Sequence, residues 1–257
     1  MKSLNTNPTN LRRRALVMTA LAMIVVYILW NIPALDWLLY PLHLFTTFIH
    51  EAGHSLAAII TGGRVEEFVV SLDSSGYART AGGIRAIVIP AGYLGSAVFG
   101  SLLFYFTNRF PNLVKPLAFL LGGGMMVFTA LFARPDETGL PLSLVLGVGF
   151  GALLMFLGAK VPGWITMLAL NVLAVSTALG AFIDLQYLVT FIGATRGDTV
   201  NDAVAFSQSV TPLVPASLIA IIWAGMALLM FGISLYYGAW KPLRQEIDTA
   251  YNSIALR

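Results

Sequence analysis

Histidine is scarce in this chain, three in 257 residues, and two of the three stand four apart in FTTFIHEAGHSLAAIITGG, residues 45–63. On a helix, His50 and His54 share one face a single turn apart, so both imidazoles can reach one metal ion. Glu51 follows the first histidine and can stand beside a water on that metal and take its proton, which is the chemistry that HExxH carries on a helix. With three His and five Glu in the chain, shuffling produces this pattern in roughly one sequence in fifteen hundred; composition alone does not account for it. The apolar surroundings add a second reason. A charged side chain at the middle of a bilayer costs about 2.5 to 3.5 kcal/mol even on the lenient insertion scale, so such residues need partners. Two interhelical hydrogen-bonding histidines beside a protonated glutamate would meet that need without a metal, and a structural zinc would have no use for Glu51.

A catalytic zinc keeps three protein ligands and one open position. Cysteine is absent, so the remaining ligand must be a carboxylate or a histidine. Asp184, in TALGAFIDLQYLVTFIGA, is the carboxylate inside a strongly apolar run, whereas the others stand in loops, span ends or the tail. It is the candidate third ligand; its other reading is a helix-end carboxylate paired with Arg196 or a backbone donor. Asp202, in the polar GDTVNDA, is the reserve candidate. His43 lies seven residues before His50, on nearly the same face, where it could support a ligand, line a water path or simply sit at the interface. Asn171, thirteen residues before Asp184, could hydrogen-bond a substrate or an oxyanion, or join two helices.

These residues must be positioned by a membrane bundle. The chain is 58% hydrophobic and 11% charged, with a mean hydropathy of +0.81, against about 25% charged residues in soluble domains. Apolar windows near the length that crosses a bilayer fall at 15–35, 41–62, 84–107, 113–132, 141–159, 162–192 and 213–238. The expectation is an all-α polytopic membrane protein of six to seven transmembrane helices, forming one domain over residues 1–257. Residues 15–35 read as a retained span, since no small-x-small cleavage site follows them. Residues 1–14 form a cytoplasmic tail, because this placement sets nine basic residues on the cytoplasmic side against six on the other; residues 239–257 form a polar tail. No basic tract with interleaved aromatics follows LRRRAL, which excludes a nucleic-acid partner. Between the second and third spans, RVEEFVVSL and GYART flank DSSG and predict a short β-hairpin over 64–83. Small residues four apart, Gly92, Ser96 and Gly100 in one span and Gly147 and Gly151 in another, predict close helix packing.

FIHEAGHSLAAIITGGRV, SLDSSGYARTAGG and IPAGYLGSAVFG together resemble the site-2 protease superfamily of membrane-embedded zinc metallopeptidases, in its compact bacterial branch without a PDZ domain. The resemblance implies a multi-pass protein of the bacterial cytoplasmic membrane that cleaves a membrane-protein or peptide substrate. It implies His50 and His54 as zinc ligands, Glu51 as general base and a distal aspartate as third ligand. That aspartate usually stands in LDG or NPDG; here Leu185 and Gln186 follow Asp184. By the same analogy, residues 65–80, Val69 and Val70 among them, pair with an unwound substrate strand. Two other readings share the polar cluster: a catalytically inactive membrane regulator retaining the metal site, and a transporter using His50, Glu51 and Asp184 as a relay.

Overall fold

The computed structural model describes residues 32–136, 138–190 and 201–245, together with Val17, Thr19, Ala20, Ile24 and Ile28; for Pro33, Asp36 and residues 181–190 it describes the backbone alone. The N-terminal tail, most of the expected span at 15–35 and residues 246–257 of the polar tail lie outside these.

Helix α1, Asp36–Ile60, contains all three histidines and Glu51. It ends where Gly62 takes a left-handed φ of 84° and Gly63 donates back to the Ala58 carbonyl, a glycine stop that a side chain would strain. The chain then reverses into β1, Arg64–Val70, and β2, Gly76–Ala81, which pair antiparallel with Phe68 opposite Ala78 and an irregularity between Val65 and Glu67. The hairpin turn is closed by Asp73, whose Oδ1 accepts from the Ser75 N–H at 2.9 Å and from the Ser75 hydroxyl at 2.6 Å.

This hairpin is not a solvent-facing appendage. Its tip is fastened to the first half of α1, where Thr47 donates to the Ser74 carbonyl at 2.8 Å and Tyr40 to the Leu72 carbonyl at 2.6 Å. From Thr61 back to Tyr40 is about 30 Å of helix rise, so the hairpin runs back along most of α1. Phe68, Val69 and Val70 are buried. The Phe68 ring meets Phe48 at 4.8 Å and Phe128 at 5.1 Å, both edge-on, a geometry in which the ring quadrupoles attract.

A broken helix follows. Helix α2, Arg85–Val88, tightens into a 3-10 turn at Ile89–Ala91, and α3, Tyr93–Arg109, leaves at 59° to them. Helices α4, Val114–Phe132, and α5, Leu142–Lys160, lie against each other. Their glycines permit the approach: a Cβ at Gly122 or Gly151 would run into the other helix, and one at Gly147 into Thr129. Helix α6, Gly163–Thr190, packs on α3, with Gly100 set against Ala174 and Ala178. The short α7, Asp202–Ser209, leads into α8, Ala216–Leu235, which closes the bundle against α3 and α6 and ends in a π-turn at Tyr236–Trp240.

Among the described residues, four helices are long and apolar enough to cross a membrane: Pro111–Phe132, Leu142–Lys160, Gly163–Gly180 and Ala216–Gln245. The bent pair Arg85–Ala91 and Tyr93–Arg109 makes a fifth if it counts as one span. Among the described residues, the predominantly helical membrane architecture and the two-stranded hairpin agree with the sequence reading, while four or five spans stand against the six to seven expected.

Candidate metal centre

Helical spacing brings His50 and His54 together as expected, with their Nε2 atoms 3.2 Å apart. The carboxylate that meets them belongs to Asp202, whose Oδ2 lies 3.1 Å from His50 Nε2 and 3.2 Å from His54 Nε2. These three residues are the group among the described residues that could hold a metal ion. Asp184 lies near the end of α6, and its side chain is outside the described residues.

The donor set fits zinc in two respects. The first is the proton count. His54 Nδ1 lies 2.8 Å from the Val88 carbonyl, and a carbonyl can only accept, so Nδ1 carries the hydrogen and Nε2 of the neutral ring is left as a lone pair. The His54 Nε2 lone pair and the Asp202 carboxylate then face each other at 3.2 Å with no hydrogen of their own between them, a pairing that an added proton or a metal ion would reconcile. With the proton, burial pushes the Asp202 carboxyl up, but the charge on the imidazoles of His54 and His50 beside it outweighs this and holds the group below the usual carboxylate range. The second respect is spacing. Ligand atoms about 2.0 to 2.1 Å from a tetrahedral ion stand about 3.3 Å from each other, close to the separations seen here.

Space at the centre is cleared by a residue whose role spacing could not reveal. Gly92 sits at the break between α2 and α3, and a Cβ there would run into the Nε2 atoms of both His50 and His54. In the sequence it belongs to a small-residue stripe that reads as helix packing; Gly100 of that stripe does pack on α6, whereas Gly92 opens the site. Facing the break from α1, Gly53 lets the Ala91 carbonyl approach in the same way. Tyr93, the next residue, places its ring edge-on to His50 at 4.6 Å between centroids.

Glu51 is buried. The Ala78 N–H of β2 faces its carboxylate, and Gly76 of that strand lies so close that a Cβ there would stand 3.0 Å from Glu51 Cγ and 2.8 Å from Thr47 Cγ2. The hairpin therefore fixes the direction of the glutamate next to the two histidines.

The other predicted site residues lie apart from this cluster. His43 is seven residues from His50, about 10 Å of helix rise, and half-buried. Asn171 is fully buried and pairs reciprocally with Asn108, whose amide donates to Asn171 Oδ1 at 2.7 Å while the Asn171 amide returns a bond of 3.2 Å. Val69 and Val70 are in the core, and the outer edge of β1 is engaged: the Phe68 carbonyl accepts from the Arg134 N–H at 3.0 Å, and the Val70 N–H donates to the Ser143 hydroxyl at 2.7 Å. A substrate strand added at Val69 and Val70 would have to displace both.

A family model described as Peptidase M50B-like matches residues 17–234. The chain belongs to that family, and with it to the site-2 protease superfamily. The match spans α1, the hairpin, the break at Gly92 and α7, so each residue that converges on the centre lies inside it. Comparison with curated proteins and with solved structures returns no match.

Proposed function

We propose that this M50B-like chain is a zinc metalloendopeptidase that hydrolyses a peptide bond in or near a transmembrane segment of a protein substrate. It would act as a multi-pass protein of the bacterial cytoplasmic membrane, with its N-terminus in the cytoplasm. The observation that carries this reading is the convergence of His50 Nε2, His54 Nε2 and Asp202 Oδ2 beside a buried glutamate, within a bundle of apolar helices.

His50, His54 and Asp202 would hold the ion. Bound there, zinc supplies Lewis acidity that polarises a carbonyl oxygen and acidifies a water. Glu51 contributes the proton transfers. Its carboxylate takes a proton from the attacking water and delivers it to the leaving amide nitrogen, so that the C–N bond breaks with hydroxyl added to carbon and hydrogen to nitrogen. Gly76 of β2 packs against that side chain and keeps it beside the histidines. Tyr93 and Gly92 line the centre from the α3 side. A helical substrate must unwind locally first, because its intact backbone bonds shield the scissile carbonyl.

The test is Glu51→Gln in purified protein, with a peptide library derived from transmembrane segments. Glutamine keeps the shape but cannot accept the proton, so zinc content should match wild type while cleavage falls by at least about a hundredfold. A wild type that binds zinc and cleaves no better than Glu51→Gln would instead favour a regulator that retains the metal site.

A further inference from the structure

The third ligand reaches the histidines from the far end of the chain, on a helix of only eight residues. Ligand atoms must be set within a few tenths of an ångström, so something must fix α7 relative to α1. One side chain touches both. The Tyr93 ring packs edge-on against His50 of α1, and its hydroxyl receives the Asn201 side-chain amide at 3.3 Å. Asn201 is the residue immediately before Asp202. Its other side-chain atom, Oδ1, accepts from the Ala203 N–H at 2.9 Å and caps α7. The same amide thus starts the helix that bears the ligand and joins that helix to the residue beside the first histidine. Behind it, Phe206 of α7 meets Trp223 of α8 at 5.4 Å, and Tyr93 stands 6.4 Å from the same indole. Ala203 is fully buried against this aromatic group.

We propose that Tyr93 and Asn201 form a latch that sets Asp202 at ligand distance from His50 and His54, and that both are positioning residues for the metal. The inference rests on reading His50, His54 and Asp202 as the zinc ligands. It assigns the Tyr93 hydroxyl a role that ring packing alone would not need, and it gives Asn201 a function beyond capping, since serine or aspartate would cap a helix as well.

The two substitutions that isolate the latch are Tyr93→Phe, which keeps the ring on His50, and Asn201→Ser, which keeps a capping oxygen but has no amide to donate. In the full chain in detergent, zinc affinity is measured by chelator competition, and cobalt(II) is bound as a spectroscopic substitute whose visible bands report ligand number and geometry. Each variant should bind zinc about threefold to tenfold more weakly, the range that loss of one hydrogen bond represents, with altered cobalt bands and an unchanged unfolding midpoint. The double variant should lose less than the product of the two single losses, because both remove the Asn201–Tyr93 bond. Asn201→Ala, which also removes the cap, should lower the unfolding midpoint in addition. Wild-type zinc affinity and cobalt spectra in both single variants would overturn the latch, as would losses that multiply in the double variant. His54→Ala distinguishes the two levels of failure: if it loses zinc while the latch variants do not, the latch alone is wrong, and if it binds like wild type, the ligand assignment falls and the latch with it.

Discussion

His50, Glu51 and His54 were legible because their relation is local: four residues make one turn, and no other part of the chain is needed to bring them together. Asp202 was harder to read because its relation to them is tertiary. An apolar context singles out Asp184 as the unusual carboxylate, yet a ligand need not lie within an apolar run when a capped two-turn helix can carry it in from a polar segment. Zinc analysis of Asp202→Ala decides the point. Loss of one of three ligands should lower zinc affinity by more than the 10- to 100-fold typical of outer-shell changes, and Asp184→Ala, prepared in parallel, should bind more zinc than Asp202→Ala at the same free concentration. Gly92 was read only in part for a related reason: spacing shows that a residue is small, not what it makes room for. Because a Cβ at this position would run into both Nε2 atoms, Gly92→Ala should remove zinc while leaving the unfolding midpoint within a few degrees of wild type. A packing role alone would give the opposite pattern, lowered stability with zinc retained.

The hairpin shows what can be read at the scale of an element. Its β-branched residues and DSSG turn announce two strands, but nothing local says that the tip returns to Tyr40 and Thr47, since single hydroxyl-to-carbonyl bonds leave no periodic trace. That placement turns an ordinary connection into the strand that holds the general base. A test uses Gly76, where an added Cβ would press on Thr47, on Glu51 Cγ and on the Val69 carbonyl of the paired strand without touching a ligand. Gly76→Val should displace the glutamate by a fraction of an ångström to an ångström. Misplacement of that order costs about a hundredfold in rate, so cleavage should fall steeply while zinc per chain stays at the wild-type value. Parallel loss of both would mean that the hairpin supports the whole centre and not Glu51 in particular.

At the scale of the whole molecule, the sequence conveys the membrane class through composition and window length, and it conveys close packing through stripes of small residues. It does not convey which helices meet. In lipid, helix association has little hydrophobic drive, so partners are chosen by backbone approach and by polar pairs. The Asn108–Asn171 pair is one such choice: it joins α3, which begins at the metal centre, to α6 deep in the bundle, and Asn108 also donates to the Phe104 carbonyl at 2.8 Å. Asn171 alone allowed two readings, substrate contact or interhelical bond, and the two predict different measurements. As an interhelical bond, Asn171→Ala leaves the Asn108 amide short of a partner and should destabilise the bundle by about 1 kcal/mol, within the range found for polar pairs between membrane helices. Denaturation in mixed micelles would read this as a lowered midpoint, with zinc affinity unchanged and KM unaffected. A substrate contact would instead raise KM at constant stability. Asn108→Ala provides the independent check, because partners in one pair should cost similar amounts singly and little more together, whereas a substrate-binding Asn171 would leave Asn108→Ala with wild-type kinetics and additive effects.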